Sequence, residues 1–234
     1  MDHHFDVSHE RHENHPVVAH FDRVMRLVRD KVPLLDDIFI TVRVADENEI
    51  IGGQHFVPEI DLPQEIEVTV GDESQMFAFR EARAHTLELM ARDFGVAAED
   101  VSAELLDTFI LLHELGHAYD YRLNVENGQE GTADLPREEQ GRAFSQAYWE
   151  QLATLPIPGI TPTELNKQLV ERGFEAVQFE YAEYIGTVSS EEELRVLQQV
   201  SYRNLPAERY ADEFATGFIK AYLPEIIDDL ERGA

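Results

Sequence analysis

The segment from Asp107 to Leu123, DTFILLHELGHAYDYRL, is the feature that most constrains the fold. Its residues Phe109 to Leu112 are apolar, and the pattern predicts a helix over 100–123 that is buried on nearly all sides. Two histidines, His113 and His117, lie on this helix. Because buried imidazoles need polar partners, the chain must bring partners, or a metal ion, to the middle of its core.

His113 and His117 are four residues apart, a spacing that places both side chains on one helix face, about one turn apart. Two imidazole nitrogens can thus bind one metal ion. Glu114 is rotated by about 100° from His113, so it reaches a water molecule on the metal more easily than the metal itself. The pattern predicts a zinc site with Glu114 as general base. The alternative is a helical protein in which HELGH occurs by chance, since the chain has 10 histidines.

A third ligand is expected, because a catalytic zinc site usually has three protein ligands and one position for water. The chain has no cysteine, so this ligand must be His, Asp or Glu. The segment ERYADEFA offers Glu208 and Asp212 one turn apart on a predicted helix, beside the small residues Ala211 and Ala215. One carboxylate could bind zinc while the other orients a ligand histidine. The alternative is a pair of solvent-facing acids on an amphipathic helix.

HELGH followed by ERYADEFA resembles the gluzincin metallopeptidases, in particular the HtpX-type and ImmA/IrrE-type families. In those families the second helix has the form Glu-x-x-Ala-Asp/Asn-x-Phe-Ala, which 208–215 matches. The resemblance implies a zincin-like α+β fold and a soluble zinc metalloendopeptidase, a hydrolase of peptide bonds. It implies one Zn²⁺ held by His113, His117 and Glu208, with Glu114 as the catalytic base. Asp212 would hydrogen bond to a ligand histidine without binding the metal itself.

Several alternatives remain open within this resemblance. The gap from His117 to Glu208 is far longer than in the ImmA group, and the chain lacks the membrane helices of HtpX. A lethal-factor-like alignment would make Asp212 the zinc ligand instead of Glu208. The segment GTAD loosely resembles the aspzincin motif and would offer Asp134. The alternative function is a catalytically inactive zincin-fold module that binds metal and acts in regulation or interaction.

The period of the apolar residues predicts an α+β fold, with a small sheet followed by helices. The helix at 16–32 precedes three strands at 38–44, 50–57 and 65–70. Gly52 and Gly53 are predicted to mark a turn or bulge, and the short connections favour an antiparallel sheet. Helices are then predicted over 75–94, 100–123 and 136–154, and from Thr161, Ser190 and Pro206 onward.

The domain organisation follows from these elements. Residues 1–15 contain five histidines and are predicted to be a disordered His-rich tail. Residues 16–234 are predicted to form a single zincin-like domain with a helical insertion at about 130–200. Tyr184 or Tyr202 could stabilise a tetrahedral oxyanion, whereas His55 and His85 are interpreted as structural histidines.

The composition limits which classes of molecule the protein is expected to bind. The formal net charge is -28 at pH 7, which argues against nucleic acids and anionic membranes, since both select basic surfaces. No apolar run approaches the roughly 20 residues that span a bilayer, and the acidic N-terminus does not resemble a secretion signal. We therefore expect a cytoplasmic protein that acts on a peptide or protein substrate, and the sequence leaves its oligomeric state open.

Overall fold

The structure is a computed structural model that describes residues 5–6, 16–46, 49, 51–57, 64–82, 84–126, 135–154, 162–178 and 190–232. Within these residues the fold combines a four-stranded sheet with eight α-helices. The strands are β1 (Phe5–Asp6), β2 (Phe39–Val44), β3 (Gly52–Phe56) and β4 (Glu65–Val70). The helices are α1 (Pro16–Lys31), α2 (Glu73–Ala82), α3 (Ala84–Phe94), α4 (Ala103–Tyr121), α5 (Arg137–Leu152), α6 (Pro162–Glu171), α7 (Glu191–Arg203) and α8 (Pro206–Arg232). The predicted α+β class is confirmed.

The sheet is mixed, so the prediction of an antiparallel sheet is wrong. Its order is β1-β2-β4-β3, with β4 parallel to β2 and antiparallel to β3. Burial explains why β4 lies between its neighbours: Ile66, Val68 and Val70 are all buried, whereas most of β3 is exposed or half-buried. A glycine-containing strand forms a weak ladder and suits a sheet edge better than its centre.

Helix α4 lies at the centre of the fold. Ser102 caps its N-terminus by accepting a hydrogen bond from the backbone N–H of Leu105. The helix packs against β3 and β4 on one side and against α1 and α8 on others. Its apolar residues from Phe109 to Leu112 are all buried, as the sequence pattern predicts. A π-helical turn at Arg122–Glu126 follows it.

Several predicted element boundaries are confirmed. Gly95 adopts a φ of 73° where α3 ends, Ser190 caps α7 by accepting from the N–H of Glu193, and α8 begins at Pro206. The predicted helix over 75–94 corresponds to α2 and α3, on either side of residue 83, which lies outside the described residues.

The structure describes only part of the predicted N-terminal tail and part of the predicted helical insertion. In the predicted tail, β1 pairs with β2 in parallel, and the other tail residues lie outside the described ranges. Within the predicted insertion, α5 and α6 share a small apolar cluster of their own, built on Ala153, Leu165, Leu169 and Val177. The organisation into tail, domain and insertion stays a prediction. None of the helices in the described ranges has a stretch long and apolar enough to cross a membrane.

Candidate metal centre

The crossing of α4 and α8 creates the centre, and it depends on two small residues. A Cβ atom added to Gly116 would lie 2.7 Å from the Cα and 3.0 Å from the carbonyl oxygen of Ala211. The helices therefore approach more closely than any larger residue at 116 would permit. Since Ala211 lies between Glu208 and Asp212 on α8, this contact directs both carboxylates towards the histidines of α4.

Three side chains converge at the crossing: His113, His117 and Glu208, each with one possible ligand atom within 4.8 Å of the others. The two Nε2 atoms are 3.2 Å apart. Nε2 of His113 lies 3.2 Å from Oε2 of Glu208, and Nε2 of His117 lies 3.7 Å from Oε1. Glu208 is fully buried, and the imidazoles of His113 and His117 are 13% and 12% exposed. This group could hold a metal ion.

The donor set and its spacing fit zinc. Two nitrogens at about 2.0–2.1 Å from a tetrahedral zinc ion are roughly 3.3 Å apart, close to the 3.2 Å between the two Nε2 atoms. In addition, Oε2 of Glu208 is buried and has no hydrogen-bond partner among the described residues. A buried carboxylate oxygen without a partner is unfavourable, and a bound cation would satisfy it.

Asp212 lies on the opposite side of His113 from Glu208. Nδ1 of His113 donates to Oδ1 of Asp212 at 2.9 Å, which leaves Nε2 facing Glu208 and His117. The same Oδ1 accepts a hydrogen bond from Nη1 of Arg203 at 2.7 Å. Glu208, and not Asp212, therefore lies beside both Nε2 atoms.

Glu114 lies beneath strand β3 and does not belong to the three-residue group. A Cβ atom at Gly53 would lie 2.7 Å from Oε1 of Glu114, so the strand passes close to this carboxylate. The interpretation of Gly52 and Gly53 as a turn or bulge is wrong: both lie within β3, and at 53 a side chain would collide with Glu114. Burial raises the pKa of Glu114 to about 7, although His113 and the backbone N–H of His55 act to lower it.

Tyr148, on α5, contacts the centre from the predicted insertion. Its hydroxyl donates to Oε1 of Glu208 at 2.7 Å and lies 3.4 Å from the hydroxyl of Tyr202. Because the single hydroxyl hydrogen of Tyr148 goes to Glu208, Tyr202 is the donor between the two tyrosines. Burial and the nearby charge of Glu208 raise the pKa of both tyrosines, so both hydroxyls stay protonated.

The electrostatics of the metal-free centre separate the two histidines. Burial acts to lower the pKa of His113, but its hydrogen bond to Asp212 and the carboxylate of Glu208, whose Oε2 lies 3.2 Å from Nε2, prevail and raise it to about 10. Burial and the neighbouring His113 lower the pKa of His117 to about 3. Burial acts against the charge of Glu208, but the histidines and Tyr148 hold its pKa at about 2. At neutral pH Glu208 is therefore an anion, and His117 is a neutral imidazole whose nitrogen can bind a metal ion.

The structure thus brings together His113, Glu114, His117, Glu208 and Asp212, all of which the sequence singled out. Asp134 and Tyr184 lie outside the described residues, as does the side chain of His85. His55, on β3, hydrogen bonds with Gln64, the residue before β4. Sequence reasoning missed Tyr148 and Arg203, since neither belongs to a motif; the closeness of Arg203 to the start of α8 was the one available indication.

Comparisons with known proteins do not add a family to this geometry. No protein-family model, no curated protein and no solved structure matches the chain.

Proposed function

We propose that the chain is a zinc-dependent metallopeptidase that hydrolyses peptide bonds with a metal-activated water and Glu114 as general base. The observation that carries this proposal is the convergence of His113, His117 and Glu208 next to a separate buried carboxylate, Glu114. Two nitrogens and one oxygen are a common protein ligand set of catalytic zinc sites, which keep one further position for water.

Each residue has a distinct part in this mechanism. His113, His117 and Glu208 would hold zinc, which when bound supplies the charge that activates water near neutral pH. Glu114 would accept a proton from the attacking water and later deliver it to the leaving amine. Its position between α4 and β3, with a hydrogen bond from the backbone N–H of His55, holds the carboxylate beside the ligands but apart from them. In the described part of the sheet β3 pairs only with β4, so its other edge can receive an extended peptide.

The second candidate function is a metal-binding regulatory or interaction module without turnover. The depth of the centre favours this second function, because Glu208 is fully buried and Tyr148 of α5 hydrogen bonds to its carboxylate. Zinc that is bound in one equivalent, with no cleavage of any peptide, would identify this module.

Glu114→Gln provides the test, with Glu213→Gln on the exposed face of α8 as its matched control. Loss of a general base typically lowers turnover by about 10²–10⁴-fold, and we expect a loss of this size for Glu114→Gln with its zinc content unchanged. The control should cleave a peptide library like the wild type. Undiminished cleavage by Glu114→Gln would remove Glu114 from the mechanism.

A further inference from the structure

Arg203 is the last residue of α7, and its guanidinium is buried against the metal centre. Only Asn204 and Leu205 separate it from α8, so the connection directs the side chain back towards the first turns of that helix. The side chain of Arg203 is 11% exposed and that of Asp212 is 10% exposed. This pair is therefore shielded from solvent, unlike the ion pairs on the surface of the molecule.

One oxygen atom connects Arg203 to the metal centre. Oδ1 of Asp212 accepts from Nη1 of Arg203 at 2.7 Å and from Nδ1 of His113 at 2.9 Å. The guanidinium also lies over the ring of Phe109, 5.4 Å from its centroid, and the Phe109 ring lies 5.9 Å from that of His113. Arg203 is thus fixed by both a charged hydrogen bond and a cation–π contact.

We propose that Arg203 is a positioning residue of the metal centre, acting on His113 through Asp212. A buried carboxylate needs a charged partner, and Arg203 supplies it without occupying a nitrogen of the histidine. The carboxylate is then held where it accepts from Nδ1, and Nε2 is directed towards His117 and Glu208. This inference rests on the metal site of the proposed function and not on peptide hydrolysis.

The test measures zinc affinity of the full-length protein by competition with a chelator. The His113→Ala/His117→Ala variant shows how much zinc the other histidines of the chain bind. Loss of a residue that orients a ligand typically weakens metal affinity by about 10–100-fold, and we expect this range for Arg203→Gln. Arg209→Gln is the matched control, since Arg209 pairs with Glu213 on the exposed face of α8, and it should bind zinc like the wild type.

Arg203→Lys separates positioning from packing. Lysine keeps the charge but not the planar guanidinium, so we expect a loss of about tenfold or less. In an Asp212→Asn background both changes should have almost no further effect, because Arg203 acts through the carboxylate. If Arg203→Gln does not fold, the Lys variant measured in both backgrounds decides the question.

Two results would overturn the inference alone. Wild-type affinity of Arg203→Gln would show that the guanidinium does not position His113. Equal losses with and without the Asp212 carboxylate would show that Arg203 acts by another route. If the wild type binds zinc no better than His113→Ala/His117→Ala, the centre does not bind zinc, and the proposed function fails together with this inference.

Discussion

At the scale of single residues, Glu208 and Asp212 approach the same histidine from its two different nitrogens. Glu208 faces Nε2 of both His113 and His117, whereas Asp212 accepts from Nδ1 of His113. The two carboxylates are equivalent by sequence spacing alone. Their difference arises from the way α8 packs on α4, because Glu208 then lies beside both Nε2 atoms and Asp212 beside Nδ1 of His113.

This difference predicts unequal effects of removing the two carboxylates. Glu208→Ala removes a direct ligand and should nearly abolish tight zinc binding, whereas Asp212→Ala should weaken it by about 10–100-fold, as for other residues behind a ligand. Asp134→Ala, at the aspzincin-like position, should leave the affinity unchanged. Zinc titration against a competing chelator ranks the three variants. A larger loss in Asp212→Ala than in Glu208→Ala would favour the lethal-factor-like ligand set.

The residues of the centre differ in how far the sequence could reveal them. His113, Glu114 and His117 share one helix, so their spacing alone fixes their relative directions. Tyr148 reaches Glu208 from α5, which no local pattern relates to α8. Residues that meet only through tertiary packing leave no periodic trace, and Arg203 is a second example of this.

At the scale of elements, the approach of α4 to α8 is set by Gly116. Gly116→Ala would place a methyl group against the backbone of Ala211. Overpacking of this kind typically destabilises a protein by about 1–3 kcal/mol. We expect a loss of stability in this range in urea unfolding, together with weaker zinc binding, because Glu208 moves away from the histidines.

Gly217→Ala is the matched control for this change, since it alters a glycine of α8 that has no heavy atom within 4 Å of an added Cβ. Alanine is favoured over glycine inside a helix by about 0.5–1 kcal/mol, so this variant should be slightly more stable than the wild type and bind zinc equally well. Equal effects of the two substitutions would contradict the close helix contact as the cause.

The elements also show where prediction from sequence ended. The strands at 39–44 and 65–70 were evident from alternating apolar residues, but alternation does not state which strands are neighbours. Short connections favoured adjacent antiparallel strands, and the chain instead inserts β4 between β2 and β3. That order pairs both edges of β4, whose Ile66, Val68 and Val70 are buried, and places β3 beside Glu114, an outcome determined by packing over the whole domain.

At the scale of the whole molecule, zinc binding should stabilise the fold, because the centre exists only when α4 and α8 are packed together. Ligands that bind only the folded state add about 2.7 kcal/mol at a free concentration of 100 times the dissociation constant. For a domain of this size each kcal/mol raises the melting temperature by about 2–4 °C. Zinc should therefore raise it by about 5–11 °C, measured by calorimetry with and without a chelator.

The His113→Ala/His117→Ala variant is the control for this prediction, and the histidines near the N-terminus make it necessary. Five of the 10 histidines lie within residues 1–15, and any zinc that they bind in both the folded and the unfolded chain contributes no stability. The stabilisation should thus disappear in the double variant, even where that protein binds zinc weakly elsewhere along the chain. An equal shift in both proteins would mean that the stabilising ion lies outside the crossing of α4 and α8, and that the burial of Glu208 has another cause.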